Sequence, residues 1–228
     1  MIKDFKIKIE EPKLLSEDIA DSIKRAIIKG KFKPGEKISE GELAESMGIS
    51  RTPLREAFRK LENEGFIEII PRKGAVVTEI DAKEAYDLYQ IKSALEGLAA
   101  RLAVGKVKEK DIEKLKKINA ELSETIEEYD LESFYRTHCR FHEVFVKISG
   151  NNRLIHLISN LNDHFQRYGI ASLALPGQYE NTIRQHEEII DAFQRGDERN
   201  VEEKVRENVL TGGSVLIDHL ARTAPSPK

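Results

Sequence analysis

From Asp81 to about residue 220 the chain carries six amphipathic segments separated by only a few residues, and this constrains its fold most. The segments run roughly over 82–104, 109–128, 131–148, 152–173, 179–194 and 198–220. Apolar residues recur in them at helical spacing, with no strand-like alternation. Their separators are short: Gly105, Asp130, Gly150-Asn151-Asn152, Pro176-Gly177 and Gly196-Asp197. Helices joined this closely pack antiparallel around a shared core. The pattern predicts an all-α antiparallel bundle of six or seven helices. The segments share length but not sequence, so a solenoid is not expected.

The residues before Asp81 are organised differently. A helix is predicted over 15–29, and GKFKPGEKI (30–38) breaks it. A short helix follows over about 40–47 and stops at Gly48. Another starts after Ser50 and ends near Gly65. Two short β-like runs, 66–70 and 75–78, then flank the basic turn Pro71-Arg72-Lys73-Gly74, which is a hairpin signal. The fold is thus expected to be mainly α, with domains at 1–78 and 79–222 and a frayed polar tail at 223–228.

Composition narrows the class. Hydrophobic residues make up 39% of the 228, too many for a disordered chain. The apolar runs fall far short of the ~20 residues of a membrane-spanning helix, so no membrane role is expected. The first residues lack the pattern of a secretory signal. The single cysteine, Cys139, excludes an intrachain disulfide and fits a reducing cytoplasm. Residues 1–78 carry net +2 and residues 79–228 net −5. That is the sign expected of a nucleic-acid-binding module joined to an acidic partner domain.

Glu40–Ala57, EGELAESMGISRTPLREA, places two short helices around a turn at Gly48. Leu43, Ala44, Met47, Ile49, Leu54 and Phe58 are positioned to close a small core between them. This is helix-turn-helix spacing. The second helix carries Arg51, Arg55 and Arg59 at four-residue intervals, a basic stripe beside the apolar one. Its N-terminus, with Ser50 as cap and Pro53 in the first turn, offers N–H groups to phosphate. Arg72, Lys73 and Gly74 suit a wing tip on the DNA backbone or in the minor groove. The plainer alternative is a solvated helix whose arginines pair with Glu56, Glu62 and Glu64.

These residues resemble the winged helix-turn-helix of GntR-family transcriptional regulators. The resemblance covers about 15–78 and is carried by KPGEKI, SRTPLREA, LENEGFIE and RKGAVV. It implies that Arg51 and Arg55 read bases, with Ser50 and Thr52 at phosphates or base edges. It places Gly74 in a wing approaching the minor groove. Where many members carry a DNA-contacting arginine at the start of the second helix, this chain has Gly41.

In the bundle, several polar residues fall on apolar faces. Lys92 lies in the arc of Ala85, Leu88, Leu95, Ala99 and Leu102, with Glu96 one turn later. His138 and His142, one turn apart, lie beside Phe134, Phe141, Phe145 and Ile148. His186 shares a face with Ile189, Ile190 and Phe193. Asn208 sits among Val201, Val205 and Val215, and His219 shares that face. Buried polar groups are costly without partners, so together these residues predict an internal polar pocket. Imidazoles one turn apart can share a metal ion. Each could instead be a core histidine bonded to a carbonyl, and Lys92 could pair with Glu96.

The pattern Tyr89-x-x-Lys92-x-x-Leu95-Glu96, Phe141-His142 before Ser149-Gly150-Asn151, His186 and the Gly196-Asp197 turn resembles the FadR-like (FCD) ligand-binding domain over about 82–220. In metal-containing members an Asp and three histidines bind a divalent ion. The matching positions are His138, His142, His186 and Asn208, with His in place of Asp and the weaker ligand Asn in place of the last His. The resemblance implies a Zn- or Ni-like ion completed by a small carboxylate. It also gives Lys92, with Glu96, an effector-binding role at a position where arginine is common. A metal-free anion pocket and a degenerate site are the other versions.

The expected function is that of a cytoplasmic, homodimeric, sequence-specific regulator. It would bind a double-stranded DNA operator, with a small carboxylate effector in the helical domain. A metal-dependent enzyme built on His138 and His142 is disfavoured. There is no HExxH arrangement, no Ser/His/Asp grouping and no Gly-rich phosphate loop. An effector-independent architectural DNA-binding protein leaves the inward polar residues without a purpose.

Overall fold

The computed structural model describes residues 15–28, 30–71, 74–127 and 130–223. The chain divides into two compact units, 1–79 and 80–228.

The first unit begins with α1 (Leu15–Ile28), followed by β1 (Lys37–Ile38), α2 (Glu40–Met47) and α3 (Arg51–Asn63). Ile19, Ala20 and Ile23 of α1 and Leu54, Ala57, Phe58 and Leu61 of α3 are buried, and the two helices pack together. Their apolar residues recur every three or four positions and so share one face. Ser39 caps α2 by accepting from the Glu42 N–H at 3.4 Å. Gly48 ends α2 at φ 64°, a left-handed conformation that costs other residues more. The chain then enters α3 through extended Ser50.

β2 (Ile67–Ile70) and β3 (Gly74–Val77) form the predicted hairpin, with Ile67 opposite Val77 and Ile69 opposite Ala75. β1 adds a third strand on the other edge of β3, pairing Ile38 with Ala75. That strand was not expected, because two residues inside a Gly/Pro-rich stretch carry no readable alternation. Met47, expected in the core, is 37% exposed, since Ala44 makes the buried contact of α2.

The second unit comprises α4 (Ala82–Ala103), a single 3-10 turn, α5 (Glu109–Glu127), α6 (Leu131–Ile148), α7 (Asn152–Leu173), α8 (Gln178–Arg195) and α9 (Glu198–Thr223). Among the described residues it contains no strand. The separators cap the helices they precede. Asp130 accepts from Ser133 N–H, Asn151 from Leu154 N–H and Asp197 from Asn200 N–H. Each satisfies a donor that has no partner within the helix.

One core cluster gathers Ala99, Leu115, Phe141, Phe145, Ile189, Phe193 and Val205, and a second gathers Ala85, Tyr89, Phe165, Tyr168, Val209 and Leu216. Leu102, placed on the inward face by spacing, is 37% exposed, while Ala99 and Ala103 beside it are fully buried. α9 packs closely on α4 because Gly213 leaves room for Tyr89. A Cβ on Gly213 would lie 2.6 Å from Tyr89 Cγ. α9 also runs through Thr223, one residue past the predicted domain end. Residues 224–228 of the expected tail lie outside the described residues. Among the described residues no helix is long and apolar enough to cross a membrane.

Candidate functional site

In the first unit α3 turns its apolar side inward and exposes Arg51, Thr52, Arg55 and Arg59. Ser50 occupies the N-cap position and is exposed, but its hydroxyl makes no capping bond, contrary to expectation. The N–H groups that begin α3 thus lack a capping side chain, and such groups accept phosphate readily. Arg55 Nε donates to Glu40 Oε1 at 2.8 Å, linking α3 to α2. An exposed pair of this kind contributes at most ~1 kcal/mol and is readily exchanged for phosphate. A Cβ on Gly41 would lie 3.7 Å from the Arg51 guanidinium, so position 41 sits directly beside Arg51. Gly74 opens β3 at φ 94°. Arg72 and Lys73, expected at the wing tip, lie outside the described residues.

In the second unit the structure brings His138, His142 and His186 together. One ring nitrogen from each lies within 4.8 Å of the other two. His138 and His142 come from successive turns of α6, and His186 comes from α8. The His186 ring stacks on Phe141, with centroids 3.7 Å apart, and is fully buried. His138 Nδ1, both His142 nitrogens and His186 Nε2 are buried without a hydrogen bond.

Two neighbours orient these rings. Asn119 of α5 donates from Nδ2 to the Ile183 carbonyl at 3.2 Å, so its Oδ1 faces His186 Nδ1 at 3.1 Å. Nδ1 must then carry the proton, which leaves Nε2 as a bare lone pair toward the cluster. Glu96 Oε2 lies 2.8 Å from His142 Nδ1, bent away from hydrogen-bonding geometry. Oxygen atoms behind ligating imidazoles fix ring orientation and raise basicity. Burial drives His138 and His186 well below the ordinary histidine range, and the neighbouring histidines add to this. Neutral imidazoles with buried lone pairs are the form that coordinates a divalent ion, so the donor set fits one.

Lys92 and Glu96, expected as effector-binding groups, line the same cavity and pair with each other, as the alternative reading of the sequence had it. Lys92 Nζ contacts Glu96 Oε1 and Asn162 Oδ1, each at 2.5 Å. Burial alone would raise the Glu96 carboxyl. The Lys92 ammonium, with the His142 ring beside it, outweighs that and holds it well below the usual range. Lysine and glutamate thus neutralise one another, because two lone charges could not both be buried at that depth. Asn208 lines the cavity too, with its amide N–H committed to Gln185 Oε1 at 2.9 Å. His219 is not among the lining residues. Glu143, which follows His142, is an exposed rim residue paired with Lys147.

Sequence reasoning missed Asn119, Asn162 and Gln185. Asn119 carried the signal used elsewhere, a polar residue beside the apolar stripe of Leu115, Ile118 and Leu122.

Known proteins bear on both units. Residues 15–77 match the family model for bacterial regulatory proteins of the gntR family, and residues 87–210 match the FCD domain. The HTH-type transcriptional regulator YdhC of Bacillus subtilis is 32% identical over 220 residues, 95% of each chain. The HTH-type transcriptional repressor RspR of Escherichia coli is 28% identical over 195 residues, 86% of each. The solved structure of E. coli McbR/YncC superposes with a TM-score of 0.69 at 22% identity, over 90% of this chain and 98% of that one. A GntR regulator from Rhodococcus sp. RHA1 gives 0.63 at 18% identity, over 92% and 99%. These two likenesses concern the fold. The relatives are regulators rather than enzymes. The chain belongs to the GntR family of DNA-binding transcriptional regulators, with a C-terminal FCD domain.

Proposed function

We propose that this regulator reads a pseudo-palindromic operator as a homodimer in the cytoplasm, and that a carboxylate effector bound in its helical unit modulates that binding. The second part rests on one observation. Buried ring nitrogens of His138, His142 and His186 converge at one cavity, with no protein partner for His142 Nε2 or His186 Nε2. Unpartnered buried polar atoms are costly, and a ligand removes the cost.

His138, His142 and His186 would hold a divalent ion of the Zn or Ni type. Bound there, it would supply positive charge and an open coordination position to an anion. Asn119 and Glu96 orient His186 and His142. Asn208 lines the cavity with its amide N–H donated to Gln185, which leaves its Oδ1 as the weaker fourth ligand of the set.

On DNA, Arg51 and Arg55 read base edges, and the start of α3 with Ser50 and Thr52 meets phosphate. Arg59 and the wing residues Arg72, Lys73 and Gly74 add backbone contacts. Effector binding shifts operator affinity to the extent that it favours one arrangement of the dimer over another.

The test is elemental analysis of untagged protein purified without chelator, beside His142→Ala. About one divalent ion per chain, lost in the variant, supports the metal site. No ion in either protein after incubation with zinc or nickel overturns it.

A further inference from the structure

The cavity beside the histidines, partly open to solvent, measures about 670 Å³. At ~30 Å³ per water that is room for about 20 waters, far more than a two- to four-carbon acid needs. It falls within the range of pockets that hold ligands of drug-like size.

Several buried polar side chains around it bind one another or the backbone. Lys92 is held by Glu96 and Asn162. Gln185 accepts from Asn208 and donates to Thr211. Ser172 donates to the Gly212 carbonyl. The buried side-chain atoms left without a hydrogen bond at this cavity are imidazole nitrogens and Glu96 Oε2. Away from the histidines the buried wall is apolar, formed by Tyr89, Val146, Ile158, Phe165, Leu173 and Val209. A polyhydroxylated or multiply charged acid lying in the buried part of the cavity would have to break these internal bonds to be satisfied.

We infer that the cavity takes a monocarboxylate with a long unsubstituted apolar body. Its carboxylate sits at the His138–His142–His186 end and its hydrocarbon lies along the Tyr89–Phe165–Val209 wall. This rests on the metal site proposed above, which supplies the charge that the paired Lys92 cannot. Three neutral imidazoles leave a bound divalent ion with its full charge, so the head group is anionic. The buried apolar wall offers no unpaired side chain to a second polar group, and the lining cations Arg136 and Arg140 are exposed and bonded to Ser133 and Glu121.

The experiment uses full-length wild-type protein loaded with zinc, its metal content measured, and titrated calorimetrically with acetate, hexanoate, decanoate and gluconate. Each buried methylene is expected to add about two- to fourfold in affinity. Decanoate should therefore bind at least ~10-fold tighter than hexanoate, and hexanoate tighter than gluconate of equal carbon count. Chelator-stripped protein should weaken all four acids while keeping the dependence on chain length. Zinc bound with a flat series, or with gluconate equal to hexanoate, overturns the ligand class and leaves the metal site standing. No zinc bound overturns the metal site and the head-group assignment with it.

Discussion

Asn119 Oδ1 accepts a hydrogen bond from His186 Nδ1 at 3.1 Å, and the Ile183 carbonyl holds the asparagine amide in that orientation. Residues 67 positions apart on α5 and α8 thus set which His186 nitrogen carries a proton. The other nitrogen is buried without a partner and aimed at two further imidazoles.

Asn119→Ala should lower divalent-metal affinity about 10- to 100-fold, as loss of an orienting neighbour does at other sites. Competition against a fluorescent chelator measures it. Unchanged affinity would mean that the tautomer is set elsewhere.

Lys92→Met should destabilise the protein by ~3–5 kcal/mol, because it strands the Glu96 carboxylate in a buried site. The double variant with Glu96→Gln should recover much of that loss. Urea unfolding of the single and double variants gives the comparison. An equal loss in both would show that packing, not charge, is the main contribution of Lys92.

Acidification should destabilise the metal-free protein. His138 and His186 are held neutral when folded, well below the ordinary value of 6.5. Once unfolded they protonate near that value, so below it the unfolded state binds more protons and stability falls with pH. Between pH 7.5 and 5.5 the loss is about 1.4 kcal/mol per histidine. Denaturation midpoints of chelator-treated protein at the two pH values test this. His186→Phe should remove about half the slope.

Gly213→Ala should cost ~1–3 kcal/mol, since its Cβ would lie 2.6 Å from the ring of buried Tyr89. A lowered melting temperature with an intact helical spectrum is the expected result. No change would mean that α4 and α9 can separate at this point without penalty.

Arg51→Ala and Arg55→Ala should each abolish specific operator protection while leaving weaker, salt-sensitive binding. A bidentate arginine–guanine contact is worth ~1–3 kcal/mol of discrimination. Both side chains are exposed, so stability should stay near that of the wild type. Footprints identical to wild type in both variants would move the reading element away from α3.

What the sequence determined by itself is local. Helix periodicity, caps such as Asp130 and Asn151, the turn at Gly48 and the arginine spacing of α3 all depend on residues within a few positions of one another. The inward histidines were legible for the same reason: the helical repeat places His138 and His142 on one face whatever packs against them.

Tertiary structure decided the rest, because pairing across helices leaves no trace in a local repeat. Only packing brought Asn119 of α5 to His186 of α8 and Asn162 of α7 to Lys92 of α4. It buried the Lys92–Glu96 pair that the sequence had left as one of two readings. β1 is readable only through β3, 37 residues away, since a strand of two residues owes its existence to its partner. The size of the cavity belongs to no segment, being the space the assembled helices leave between them.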